Sequence, residues 1–376
     1  MLKGTNLSAP IVGIKTPPAS RTAFRVLGTT LNLAQPNEPV PEDWQQAITG
    51  LCDWLGIRIE HVPQRGAKGL KEVVNWAKGD APLQAAPVFA PWQSCSPVLF
   101  QNSLGHGLPA GDWIGSYLLD HAVGKTGTRA GLDVLLMSPH PAACRHDDGC
   151  GTPLPQLSLI KTMIGAARFE GRKKLAIIVH ARSRNSVIKQ LLLADRSLTR
   201  EGITVDIVAI EDALANLVRS AGRWDAIIAM PDLRSIVFAL MAQANETQGP
   251  WPMLVHGRNL AAIGAEALNN GSFRLLLNAP LLVQSLALAA FNAGLTNAAR
   301  RLHEGAAQLS LRGVITQGEH SIAPYVTKIS DAEYIRLICA GAAISTRAIP
   351  EWRAFGGIGT PANASKPSRL HVVAPI

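Results

Sequence analysis

The sequence predicts an α/β protein, a central sheet flanked by helices, and three observations predict it. Over residues 175–242 apolar strands alternate with helices in the order strand, helix, strand, helix, strand, helix, the pattern that builds a parallel sheet. The strand candidates there and at 131–138 (GLDVLLMS) have a continuous apolar core, as expected when both faces are covered. At 376 residues, with 47% hydrophobic and 17% charged side chains, the chain has the length for two domains and the composition for a substantial core.

Residues 24–33 (FRVLGTTLNL) read as a first strand. Pro41, Glu42 and Asp43 suit a first helical turn and Gly56 suits a stop, so a helix runs between them. A second strand follows at 58–63 and a short helix at 70–78. Residues 81–95, rich in proline and alanine, read as a connection, and 96–104 (SPVLFQNSL) as a buried strand. A helix is expected at 112–123, a strand at 131–138, a loop at 140–155 and a helix at 157–169. Strand 175–179, helix 187–200, strand 205–210, helix 212–220, strand 226–229 and helix 235–244 come next. A short strand at 253–256, two apolar-faced helices at 280–293 and 297–309 and a helix at 330–340 complete the body. The tail from Thr346 has no sustained period and reads as extended or disordered. A basic arm at 1–23 and the tail at 346–376 flank this body.

Lysine and arginine outnumber acids by 36 to 27, a net charge of +9 that favours an acidic partner or nucleic acid without bearing on fold. Much of the surplus lies in residues 161–200, where Lys161, Arg168, Arg172, Lys173, Lys174, Arg182, Arg184, Lys189, Arg196 and Arg200 face only Glu170 and Asp195. Solvated helix flanks explain such a run as readily as a polyanion-binding face does. Five scattered cysteines argue against a disulfide framework. No apolar run reaches the roughly 18 residues of a membrane span, so a soluble protein is expected. The first 37 residues contain no Asp or Glu but do contain Lys3, Lys15, Arg21 and Arg25. That composition suits a mitochondrial targeting segment, while Pro10, Pro17 and Pro18 favour the arm of a cytoplasmic protein, so matrix and cytoplasm both stay open.

Three strings carry a resemblance. LVRSAGRWDAII (217–228) looks like a "LV…P..FDV.V" passage, NAPLLVQSLALAAFNAGLTNAARRL (278–302) like "NP.A.ILS..MML.H.G....A..I", and VLFQNSL (98–104) like "LD.YANLRP". In this order they resemble the isopropylmalate/isocitrate dehydrogenase family, the β-decarboxylating dehydrogenases, over roughly residues 24–337. The resemblance implies a two-domain isopropylmalate dehydrogenase-like fold with a mixed central sheet flanked by helices: a first, discontinuous α/β domain from 24–107 plus 249–345 and a second at 108–248, through which it dimerises. It implies oxidation of a 2-hydroxy acid by NAD or NADP followed by decarboxylation, with Mg²⁺ or Mn²⁺ held by aspartates, a lysine and a tyrosine moving protons, and arginines clamping carboxylates.

The same alignment shows other residues at nearly all those places. The lysine of the family's "DKxN" string has Arg184 as its counterpart, and an arginine stays charged at ordinary pH; it can hold an anion but not act as a base. The metal aspartates correspond to Glu211 or Asp212 and to Ser235 and Ala239 in MPDLRSIVFAL, with Asp232 nearby but out of register. If the chain is active, Glu211, Asp212 and Asp232 are the metal carboxylates. The clamping arginines and the tyrosine have no counterpart. The cofactor loop shrinks to NNGSFRLLLNAP, in which Gly271, Ser272 and Asn278 match.

Cys144, His146 and Cys150 form a possible zinc loop, although their C-x5-C spacing is not that of common structural zinc sites; a polar loop is the simpler reading. There is no G-x-G-x-x-G after the first strand, and Gly124-Lys125-Thr126-Gly127 lacks the upstream glycine of a phosphate loop. Trp44, Trp54 and Trp76 read as core or contact anchors.

Three functions follow from these residues. In the first, a non-catalytic protein of this family, needing no cofactor, serves as a structural or regulatory subunit of a homo- or hetero-oligomer. In the second, the chain is an NAD(P)- and metal-dependent decarboxylating dehydrogenase. In the third, a basic protein binds RNA or another polyanion through residues 161–200.

Overall fold

Most of the apolar strands read from the sequence line up in one sheet. The computed structural model describes residues 30–34, 42–62, 88–95, 112–120, 132–140, 143–146, 153–193, 203–219, 221–244, 250–257, 260–266, 278–317, 326–341, 349, 351–356 and 370–372. The arm at 1–23, the helix expected at 70–78 and the strand expected at 96–104 lie outside these residues, as do Trp76, Cys150, Gly271 and Ser272.

The strands are β1 (Thr30–Ala34), β2 (Arg58–Val62), β3 (Val88–Cys95), β4 (Trp113–Asp120), β5 (Leu132–Pro139), β6 (Cys144–His146), β7 (Pro153–Pro155), β8 (Lys174–Val179), β9 (Thr204–Ala209), β10 (Ala226–Ala229), β11 (Trp251–Gly257), β12 (Leu260–Glu266), β13 (Val314–Thr316), β14 (Thr327–Ile329) and β15 (Leu370–Val372). The helices are α1 (Glu42–Leu55), α2 (Leu157–Phe169), α3 (Ala181–Leu193), α4 (Ile210–Arg219), α5 (Arg234–Ala244), α6 (Ala279–Asn292), α7 (Thr296–Leu311) and α8 (Asp331–Cys339).

Eleven strands form the main sheet in the order β15-β9-β8-β10-β5-β4-β11-β12-β3-β1-β2. Pairing is antiparallel at β4–β5, β4–β11 and β11–β12 and parallel elsewhere, so the molecule is α/β with a mixed central sheet flanked by helices. Strands from residues 113–229, with β15, make one half of the sheet, and strands from 30–95 and 251–266 make the other. The seam is the β4–β11 pair, in register from Met253↔Ser116 to His256↔Trp113.

Local sequence explains the elements. In α1, Glu42 and Asp43 occupy the first turn, Ile48, Leu51, Cys52 and Leu55 are buried, and Gly56 takes φ 71°, the left-handed stop that glycine adopts freely. In α6, Asn278 accepts the Leu281 N–H at 2.8 Å as N-cap. This helix is apolar on nearly every side because it packs on β3, β11 and β12 and against α7 and α8.

The structure corrects several expectations. Residues 113–120 form strand β4, not a helix: WIGSYLLD lies between two partners with both faces covered, so its continuous apolar run carries no strand alternation. The expected connection at 81–95 contains β3. Its Pro91 falls where the register against β12 jumps between Ile263 and Ala265, a bulge that tolerates a residue without an N–H. Strand β12, rich in alanine, gave no strand signal. Helix α3 begins at Ala181 rather than 187, because its buried stripe is Ser183, Val187 and Leu191 and opens on a polar residue. The loop at 140–155 contains the antiparallel pair β6–β7. In the tail, residues 353–355 form a 3-10 turn with Trp352 1% and Phe355 5% exposed, far from disordered.

Candidate functional site

The parallel strands β5, β8, β9 and β10 end on the same edge of the sheet. Because β4 runs against β5 and β11 against β4, that edge also holds the start of β4 and the end of β11. Ligands of open α/β sheets bind outside the carboxyl ends of strands, near a change of direction, and this edge meets that description. The chain places His140 after β5, His180 after β8, Glu211 and Asp212 in the first turn of α4 after β9, Asp232 after β10, Asp112 before β4 and His256 near the end of β11.

His180 Nε2 and Asp232 Oδ2 meet at 2.5 Å, both half-buried. Neighbouring Cys144 directs its thiol to the His140 carbonyl at 3.6 Å. Burial, reinforced by the Asp232 charge, pushes that thiol up to about 12. The Trp113 ring stacks on His256 with centroids 5.0 Å apart, and Trp113 Nε1 and His256 Nδ1 are buried without a hydrogen-bond partner among the described residues. Burial lowers the pKa of both His140 and His256, against the opposing pull of the Asp112 carboxylate. Arg184, one turn into α3, has its Nε and Nη2 atoms buried with no acceptor among the described residues.

The residues expected from sequence are thus partly gathered. Arg184, Asp232 and the Glu211–Asp212 pair share one sheet edge, but it is His180 that Asp232 contacts, and Glu211 is exposed. Among the described residues no three His, Cys, Asp or Glu side chains converge to hold a metal ion. A hard divalent cation needs several oxygen ligands, and Asp232 bonded to an imidazole is no such set, so the described residues at this edge do not fit Mg²⁺ or Mn²⁺. Cys144 and His146 lie on β6, and Cys150, the third member of the possible zinc loop, lies outside the described residues. Asn278 spends its side-chain oxygen on capping α6, a role its position ahead of Ala279-Pro280 could have signalled.

Two buried polar networks escaped the sequence reading. Arg234, 1% exposed, donates from Nη2 to Glu266 Oε2 at 2.6 Å and to Ser116 Oγ at 2.8 Å, from Nε to Glu266 Oε1 at 3.0 Å and from Nη1 to the Leu136 carbonyl at 3.3 Å. The Ser116 hydroxyl also donates to Glu266. This network crosses the seam of the sheet beneath the candidate site. At the opposite edge Arg172, counted above in the basic run, is 1% exposed and donates to Glu170 Oε2 at 2.7 Å, Asp133 Oδ1 at 3.0 Å and the Asp225 carbonyl at 2.6 Å. Tyr117 donates to Glu170 at 2.7 Å, and burial followed by the Glu170 charge raises its phenol well above the usual range. The Tyr117–Glu170 and Arg172–Asp225 contacts each join residues 53 positions apart and leave no local motif. An open polar hollow lined by Arg300, His303, Glu304, Ile349, Glu351 and Phe355 lies beside the docked tail.

No family model and no curated protein matches the chain. Solved structures do match. Isocitrate dehydrogenase from Methylococcus capsulatus superposes with a TM-score of 0.56 at 13% identity, covering 84% of this chain and 99% of that one. The fold is isocitrate dehydrogenase-like. The TT0538 protein from Thermus thermophilus also gives a TM-score of 0.56, at 14% identity, covering 92% of this chain and 73% of that one. The isocitrate dehydrogenase-like likeness is one of architecture, and the chemistry has to be argued from the side chains.

Proposed function

We propose that this chain is a non-catalytic protein of the isocitrate/isopropylmalate dehydrogenase fold that serves as a structural or regulatory subunit of an assembly. One observation carries the reading. At the strand ends, Arg184 stands where the resemblance expects the proton-transferring lysine, and Asp232 is joined to His180 rather than to a set of carboxylates. Metal-assisted oxidation of a hydroxy acid needs a hard-cation site, and among the described residues no three His, Cys, Asp or Glu side chains gather to form one.

The subunit role draws support from α4 and α5. Leu214 and Val218, one helical turn apart on α4, are 40% and 49% exposed, and Ile236 on the adjoining α5 is 44% exposed. An apolar face of this kind suits contact with another chain through the segment 108–248.

The test is a nicotinamide-reduction assay on the purified protein with NAD⁺ or NADP⁺, Mg²⁺ or Mn²⁺, and isocitrate, isopropylmalate, malate or tartrate. No reduction above the protein-free rate is expected. Turnover on the order of 1 s⁻¹ or faster, the ordinary range for enzymes, refutes the proposal. Affinity purification of the native protein then identifies the companion chain.

A further inference from the structure

We infer that residues 351–356 are a clasp that fixes the angle between the two halves of the sheet. The segment grips both halves. Trp352 lies edge-on to Tyr117 of β4 with centroids 5.6 Å apart, and it stacks on the His303 ring of α7 at 5.9 Å. The Arg353 backbone N–H donates to Asp133 Oδ2 at 2.9 Å, and its Nη1 lies 3.0 Å from Asp225 Oδ2, tying it to the starts of β5 and β10. Phe355 turns the other way and packs on Phe291 of α6 at 5.1 Å. Gly356 then presses on the end of α2 so closely that a Cβ there would lie 2.2 Å from the Phe169 carbonyl oxygen.

The placement matters as much as the contacts. Asp133 and Asp225 mark the amino ends of β5 and β10, the edge opposite His180 and Asp232. Rotation of one half about the β4–β11 seam changes the gap on both edges at once. A segment bonded to β5 and β10 on one side and packed on α6 and α7 on the other resists that rotation from behind. Two-lobed enzymes close around substrate by such hinge motion. The clasp deepens the proposed function, on which it rests for its purpose: a subunit that does no chemistry can be held at one angle.

The experiment uses the full chain with spin labels carried by unnatural amino acids at Thr49 on α1 and Lys189 on α3, both exposed and on different halves. Eight strand spacings separate β1 from β9, about 40 Å at 4.7–4.9 Å each, within reach of electron–electron dipolar measurements. The intact chain should give one narrow distance distribution, and the Trp352→Ala/Phe355→Ala variant a distribution at least twice as wide. If that variant does not fold, Arg353→Ala removes the side-chain pair with Asp225 while the backbone bond to Asp133 stays, and Gly356→Ala forces the segment off the end of α2; either should widen the distribution. A broad distribution in the intact chain overturns the clasp, and so does a narrow one in folded variants, which marks the segment as a stabiliser only. The nicotinamide assay reads the proposed function independently: turnover with a narrow distribution sinks that function and leaves the clasp.

Discussion

Cutting the ion pair between α5 and β12 probes how the halves of the sheet are joined. Arg234 and Glu266 are each 1% exposed, with paired contacts at 2.6 and 3.0 Å. Replacing Arg234 by Met leaves a carboxylate buried with the Ser116 hydroxyl beside it and strips the Leu136 carbonyl of a donor. Removing one partner of a buried pair costs about 3–5 kcal/mol, two to three and a half powers of ten in the folding equilibrium. The double variant Arg234→Met/Glu266→Met removes both charges together with the cost of burying them. What remains is Ser116 and the Leu136 carbonyl short of a partner, about 1–3 kcal/mol. The double variant should therefore be more stable than Arg234→Met alone. The assay is urea unfolding followed by tryptophan fluorescence and circular dichroism on the same samples. A double variant that loses the sum of the two single losses would falsify the view that these side chains act as one buried unit.

Asn278→Ala should cost about 1 kcal/mol of stability through the lost cap of α6, read as a lower urea midpoint. Cys52 and Cys144, both pushed up to about 12 from 9.0, should carry roughly a thousandfold less thiolate at pH 8 than an unshifted thiol and resist iodoacetamide in the native protein; prompt alkylation of either contradicts this. Burial depresses the folded pKa of His140 and His256, so the unfolded chain binds more protons near and below an unfolded value of about 6.5. Their contribution to stability is complete above that value and is lost as the pH falls through the folded values. His140→Gln/His256→Gln should flatten the fall in urea midpoint between about pH 7 and about pH 5; an unchanged slope assigns the fall to other groups.

The sequence made the fold legible wherever burial left a one-dimensional trace. Strands β8, β9 and β10 are short apolar runs between helices, and α2 and α6 carry clear stops or caps. Where two faces are covered, the trace becomes ambiguous: WIGSYLLD suits a buried helix as well as a central strand, and only its neighbours β5 and β11 decide. The candidate site was legible as residue types that follow the strand ends, Arg184 and Asp232 among them. It was not legible as partnerships. His180 joins Asp232 across 52 positions and Arg234 joins Glu266 across 32, distances no motif spans. Arg172 illustrates the other limit, since a basic run on paper contains a side chain that spends its charge inside the protein.

Strand β15 has a consequence for solubility. It pairs Leu370, His371 and Val372 with Val205, Asp206 and Ile207, covering the outer flank of β9. An uncovered β9, reading TVDIVA, would offer a row of free backbone donors and acceptors on an apolar ribbon, the template on which chains stack edge to edge. Residues 370–372 thus act as a selvedge, finishing the woven margin so that it does not catch on its neighbours.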